Sequence, residues 1–229
     1  ALRAVPMQRA ERGVWVWQTA ENLDGTYSTL LETEVISSTT GKTVTAAVKS
    51  YDGFTSPEAV EVTVLADGSA TVEYYYTRNS YKIVYYTVNA DDAQIEFKTI
   101  EALYEAPVTA VTEVPTRTGY EFTKWDVACP ATMPLNGLEI TALWNPSTFD
   151  ITYEGIYDDV SKYPATHAFD TETDISEIPT RDGYTFAGWE FNGNPITFEN
   201  NKIGKRQFSD DFTLTATWTA KPVKYTVET

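Results

Sequence analysis

Glu113-Val114-Pro115-Thr116-Arg117-Thr118-Gly119-Tyr120-Glu121-Phe122-Thr123-Lys124-Trp125 returns further along the chain as Glu177-Ile178-Pro179-Thr180-Arg181-Asp182-Gly183-Tyr184-Thr185-Phe186-Ala187-Gly188-Trp189. The Glu, Pro, Thr, Arg, Gly, Tyr, Phe and Trp positions are identical and keep their order, so the sequence is read first as a tandem repeat. Pro115 and Pro179 fix φ, and Gly119 and Gly183 permit a positive φ. Pro-Thr-Arg-x-Gly is therefore a turn that delivers the chain into a strand. A regular strand beginning at Tyr120 or Tyr184 is expected to carry the Tyr, the Phe and the following Trp on its core side.

The flanks repeat as well. Tyr81-Lys82-Ile83-Val84-Tyr85 precedes the first copy and Phe149-Asp150-Ile151-Thr152-Tyr153 the second. Leu138-Glu139-Ile140-Thr141-Ala142-Leu143-Trp144 closes the first and Phe212-Thr213-Leu214-Thr215-Ala216-Thr217-Trp218 the second. The spacing between copies changes from 68 residues at the start to 64 at the motif and 74 at the end, which places the insertions in loops between strands. Every matched block alternates. Leu138, Ile140, Ala142 and Trp144 share one face, as do Phe212, Leu214, Ala216 and Trp218, with threonines dominating the opposite face of the second block. The spacing of Phe97, Ile100 and Tyr104 allows two helical turns, but the last repeat lacks that spacing, and helix is expected to be scarce.

Residues 14–79 read as a diverged module of the same general kind. Val14-Trp15-Val16-Trp17 alternates, Val60, Val62 and Val64 alternate, and Asp67-Gly68 is a hairpin signal leading into Thr71-Val72-Glu73-Tyr74-Tyr75-Tyr76. Asp52-Gly53-Phe54 takes the place of Gly-Tyr-x-Phe. The expected division is a linker or the tail of a preceding module at 1–13, modules at 14–79, 80–146 and 147–220, and the start of another segment at 221–229. Val223-Lys224-Tyr225-Thr226-Val227 reads like the opening of a further strand, so the chain is expected to be a fragment. The fold class is mainly β, as three small tandem modules. Short joints at Thr77-Arg78-Asn79-Ser80 and Trp144-Asn145-Pro146-Ser147 suggest a stiff, elongated array.

Composition narrows the functions. The formal charge is −16, with 17 basic and 33 acidic residues. That opposes nucleic-acid binding, which needs a basic face, and docking on anionic lipid. One cysteine, Cys129, precludes an internal disulfide and a cysteine zinc site. No run of about 18 apolar residues suggests a membrane span.

Residues 80–146 and 147–220 resemble the internalin B-type repeat, also called the Listeria–Bacteroides repeat. The resemblance rests on the aromatic-x-Ile-x-Tyr start, Pro-Thr-Arg-x-Gly-Tyr-x-Phe-x-x-Trp, the closing strand ending in Trp, and Met133-Pro134. Residues 14–78 resemble the mucin-binding-protein repeat through Gly41-Lys42, Tyr51-Asp52-Gly53-Phe54 and Val72 to Tyr76. These resemblances imply β-grasp-like (ubiquitin-like) modules in bacterial surface proteins, without enzymatic activity. They imply a role as spacers and, in some cases, binding to host glycoproteins. Two departures are the Thr123-Lys124 pair where the family has small residues, and an insertion from Asn192 to Phe208.

The candidate chemistry is weighed against plainer roles. A nucleophilic triad would have to use the single histidine, His167, and a strand or surface role suits it better. Asp170, Glu172 and Asp174 make the best candidate for a weak calcium site, yet they lack the glycine of an EF-hand loop, and solvated turns are the plainer account. Trp125, Trp144, Trp189 and Trp218 recur in register with Pro115, Arg117, Gly119, Tyr120 and Pro179, Arg181, Gly183, Tyr184, so they read as structural. Trp15, Trp17 and Tyr75 are the candidate sugar-stacking residues, because a run of three tyrosines on a strand must point at least one ring outward.

The expectation is a non-catalytic repeat segment of a bacterial cell-surface adhesin, outside the cell. It acts as a stalk or spacer, with a glycan- or mucin-binding module as the alternative and a carbohydrate-active enzyme as a remote one. No cofactor is expected. The expected partners are neighbouring repeats and a host glycoprotein or glycan, with no nucleic acid, no direct membrane contact and a monomeric state.

Overall fold

The computed structural model describes residues 13–224. Residues 1–12 of the linker expected at 1–13 and most of the strand expected from Val223 lie outside the described residues, and Gly13 is the first residue of a strand. The protein is mainly β, with 49% strand and 3% helix, the latter in two short 3-10 turns among the described residues.

The first sheet has the order β2-β1-β6-β4, from β1 (Gly13–Ala20), β2 (Thr29–Ser37), β4 (Phe54–Thr55) and β6 (Thr71–Arg78). β3 (Thr43–Thr45) and β5 (Glu61–Thr63) pair beside it. β1 runs antiparallel to β2 and parallel to β6. A hairpin whose first strand lies parallel to the last strand is the β-grasp order. The second sheet repeats it as β8-β7-β10-β9, from β7 (Ser80–Val88), β8 (Gln94–Leu103), β9 (Tyr120–Trp125) and β10 (Leu138–Pro146). The third is β12-β11-β17-β14-β15, from β11 (Thr148–Glu154), β12 (Thr166–Ala168), β14 (Tyr184–Phe191), β15 (Asn194–Ile196) and β17 (Phe212–Ala220). Here too the hairpin strand β11 runs parallel to β17. β13 (Thr173–Asp174) and β16 (Lys202–Ile203) form a separate small pair. The span from Phe97, where helical spacing was possible, is strand β8 as far as Leu103.

The chain divides into two compact units. One comprises residues up to Tyr86 with Glu96–Thr112 and Val127–Ile140. The other comprises Thr87–Ile95, Glu113–Asp126 and all residues from Thr141 onward.

In the first unit, Val14, Val16, Val72, Tyr74 and Tyr76 form the core, with Ala46, Val64 and Ala70. The buried tyrosines satisfy their hydroxyls: Tyr74 donates to the Ala46 carbonyl at 2.9 Å and Tyr76 donates to Gln18 Oε1 at 2.5 Å. That pairing is what allows polar tips to be buried.

In the second unit, Ile151, Ile203, Leu214, Phe212 and Trp189 form the core. Here the expectation of a regular motif strand fails. Phe186 and Trp189 lie three residues apart, and an odd separation puts them on opposite faces of a regular strand. The pairing of β14 with β17 slips between Phe186 and Gly188, so Ala187 is a β-bulge. The bulge restores Trp189 to the core face, where it is buried. β9 and β10 slip in the same way at Thr123. The resulting aromatic clusters match in both repeats. Phe122 meets Trp125 at 5.2 Å and Trp144 at 5.8 Å, and Phe186 meets Trp189 at 5.2 Å and Trp218 at 5.9 Å, all edge-to-face.

Candidate functional site: an aromatic sheet face and glycine–aromatic joints

Trp15, Trp17 and Tyr75 share one face of the first sheet. β1 buries Val14 and Val16 on one side, which leaves Trp15 and Trp17 half-buried on the other. In register, Trp17 lies beside Glu73 and Thr19 beside Tyr75, and Trp15 lies opposite Val35. The Tyr75 ring is 44% exposed and contacts Tyr27 edge-on at 5.0 Å, while its hydroxyl donates to Glu73. Tyr74 and Tyr76 are buried, so Tyr75 is the one of the three whose ring stays outside. The face offers indole and phenol surfaces beside a carboxylate and threonines, a mixture able to stack on and hydrogen-bond to a sugar.

Asp170, Glu172 and Asp174 do not converge on a common point. Asp170 pairs with Arg206 at 2.7 Å, Glu172 pairs with Lys202 at 2.8 Å, and Asp174 accepts from the Ser176 backbone at 2.8 Å. Among the described residues no group of three or more His, Cys, Asp or Glu could hold a metal ion. His167 is fully buried on β12 and its Nδ1 bonds Thr173 at 2.8 Å. Burial pushes its pKa down, which keeps the ring neutral at physiological pH. Cys129 belongs to the first unit and His167 to the second.

The motif glycines carry a role that the repeat pattern alone leaves hidden. In the first unit the Gly53 carbonyl accepts from Asn79 N–H at 2.9 Å, and the Asn79 carbonyl accepts from Tyr104 N–H at 2.8 Å. That bond draws the Tyr104 ring over Gly53, where a Cβ would lie well under 3.0 Å from the ring. Phe54 meets Tyr104 at 6.1 Å and Tyr81 meets it at 6.2 Å, both edge-on. Arg78 stacks on Phe54 at 4.7 Å and donates to the Tyr104 carbonyl at 2.8 Å.

The second unit contains the same assembly one repeat later. The Gly119 carbonyl accepts from Ser147 N–H at 2.9 Å, and the Ser147 carbonyl accepts from Phe169 N–H at 2.9 Å. The Phe169 ring covers Gly119, again leaving no room for a Cβ. Tyr120 meets Phe169 at 5.4 Å and Phe149 meets it at 6.2 Å, edge-on. Arg117 stacks on Tyr120 at 3.5 Å. Gly53 and Gly119 are both buried, with φ of 82° and 75°.

Arg206 reinforces this second joint. Its guanidinium pairs with Asp170 and Asp92, each at 2.7 Å, and donates to the Tyr120 hydroxyl at 2.7 Å. Arg117 also pairs with Asp92. The arginines hold both carboxyls below the usual aspartate range, with Arg206 the larger influence on each. A hollow of about 410 Å³ lies here, lined by Asn89, Asp92, Arg117, Tyr120, Phe169 and Arg206. The sequence reading missed Arg206 and Asp92 as a pair. Arg206 lies in the insertion from Asn192 to Phe208, where comparison of the repeats supplies no counterpart.

Small sheets of one strand order, whose recurrent aromatics are spent on packing and joints, define a β-rich tandem-repeat protein. The chain belongs to the Listeria-Bacteroides repeat domain family, whose sequence model matches residues 81–128 and 148–217, more than half of the chain. That family is a repeat of surface proteins and is typically non-enzymatic. No curated protein matches the chain. No helix among the described residues is long and apolar enough to cross a membrane.

Proposed function

We propose that this chain is a non-catalytic stalk or spacer segment of a bacterial surface adhesin, located outside the cell. The observation that supports this most is the use made of the recurrent residues. Pro115, Arg117, Gly119, Tyr120 and Trp125, and their counterparts Pro179, Arg181, Gly183, Tyr184 and Trp189, build turns, bulges and joints. A spacer has to transmit tension through its joints, and a joint made of a backbone hydrogen-bond relay and interlocked rings suits that task. Single-molecule extension of the intact chain tests this. Stepwise unfolding is expected, each module of about 70 residues releasing roughly 20–25 nm of contour. A chain that yields in one cooperative rip would contradict it.

The alternative is that residues 14–79 act as a glycan- or mucin-binding module through Trp15, Trp17 and Tyr75. Their placement on one outward face favours it. Binding of the intact chain to immobilised mucin, lost in a Trp17→Ala/Tyr75→Ala variant that unfolds at the parent temperature, is the expected result. Equal binding by that variant would remove the face as the site.

A further inference from the structure

We propose that the Gly183 face is an open socket for an aromatic side chain presented by a further repeat of the same family. Gly183 has φ of 76°, and its carbonyl accepts from Lys221 N–H at 2.8 Å. Gly53 with Asn79 and Gly119 with Ser147 show the same arrangement, and there an aromatic residue covers the glycine. The rest of the socket is also in place. Tyr184 follows Gly183 as Phe54 follows Gly53 and Tyr120 follows Gly119. Arg181 stacks on Tyr184 at 3.7 Å, as Arg117 stacks on Tyr120. The ring is what differs. Gly53 and Gly119 are buried, whereas Gly183 is exposed, and among the described residues no atom lies within 4 Å of where its Cβ would stand. Val223 occupies the place of Tyr81 and Phe149, which clasp the covering ring, and it is 71% exposed. A hollow of about 430 Å³ adjoins, lined in part by Pro179, Arg181, Tyr184, Phe186 and Lys221.

The two filled joints identify the occupant. The covering residue follows the second strand of the next sheet: Tyr104 follows β8, and Phe169 follows β12. Its N–H is bound by the carbonyl of the residue that also donates to the glycine. The socket therefore selects an aromatic residue at that one place in a sheet of this strand order. A second copy of this chain has none to offer. Tyr104 and Phe169 are already seated, and Ser38 stands at the equivalent place after β2. The occupant is thus a repeat joined in series, with an aromatic residue at that position.

The test lengthens the full chain, replacing residues 221–229 with a second copy of residues 147–220. In the parent chain the Gly53 and Gly119 Hα resonances should be displaced upfield by the rings above them, with Gly183 at an ordinary position. In the lengthened chain Gly183 should move upfield to resemble Gly119. Phe169→Ala in the added copy should return it. Because that change could unfold the copy, Gly183→Ala in the lengthened chain is the second variant. It should release the added copy, which then gives the same amide exchange rates as a copy joined by a glycine-rich linker. A copy that leaves Gly183 unmoved, folded or not, overturns the proposal. So does a Gly183 displacement in the parent chain that grows with concentration, since the occupant would then be a second molecule.

Discussion

The Phe169 ring lies directly over Gly119, where a Cβ would come far closer to it than real Cβ atoms come to any neighbour. Gly183 holds the same place in the next repeat at nearly the same φ, 76° against 75°, yet faces no described atom within 4 Å. The two alanine substitutions therefore separate backbone strain from lost packing. Gly183→Ala should cost only the left-handed strain, about 1–2 kcal/mol. Gly119→Ala should cost that and a further ~1–3 kcal/mol from the ring it displaces. Equilibrium denaturation of both variants checks this, and equal losses would show that Phe169 is not held against the glycine.

The bulge is the second point open to test. Deleting Ala187 would remove the bulge and leave Phe186 and Trp189 two residues apart in a regular strand, so the indole should stay on the core face. Trp189 is 7% exposed and packs on Tyr153 at 5.6 Å and Phe186 at 5.2 Å. The deletion should therefore leave the near-ultraviolet dichroism and the tryptophan emission close to those of the parent chain. Lost dichroism and a red-shifted emission would mean that the bulge is not what sets the facing of Trp189.

Direct truncation gives the scale of that core. Trp189→Ala should destabilise by about 3–5 kcal/mol, the usual range for a buried tryptophan. Tyr75→Ala, on the outer face of the first sheet, should cost less than about 1 kcal/mol. Thermal or urea unfolding of the two variants decides it. A Tyr75 substitution as costly as that of Trp189 would mean that the outer face carries structure.

Stability should fall in acid through Asp92 and Asp170. Arg206, assisted by Arg117 at Asp92 and by the Tyr120 hydroxyl at Asp170, lowers both folded pKa values. The folded state therefore binds fewer protons than the unfolded chain. The contribution is complete above the unfolded value of about 3.9 and disappears as pH falls through the lower folded values. Both pairs are exposed to solvent, so the effect should be modest and shrink with added salt. Arg206→Gln should flatten this part of the pH profile. A profile unaltered by the substitution would remove the arginine as the cause.

How much of this was legible in the sequence depended on the kind of signal. Repetition and alternation exposed the strands, the turn at Pro-Thr-Arg-x-Gly and the outward Tyr75, because period-two patterning is a local property. The odd spacing of Phe122 to Trp125 and of Phe186 to Trp189 also stands in the sequence, but the expectation of a regular strand overlooked it. It conflicts with a regular strand and is resolved by a bulge at Thr123 and Ala187. The joints were not legible. Tyr104 and Phe169 follow second strands of different length, so they do not align by simple offset, and Tyr104 falls in a stretch whose spacing also allowed helix. Asp170, Glu172 and Asp174 were the best candidate ligands by their spacing, with solvated turns the plainer account. The partners of Asp170 and Glu172, Arg206 and Lys202, come from an insertion more than 25 residues away, which spacing cannot report.

One measurement bears most directly on the claim that glycine–aromatic joints tie successive repeats together. It is the Hα chemical shifts of Gly53, Gly119 and Gly183 in the intact chain. The structure predicts upfield displacement for the first two, lost in Tyr104→Ala and Phe169→Ala respectively, and an ordinary shift for Gly183. Three ordinary shifts, unaffected by either substitution, would contradict it.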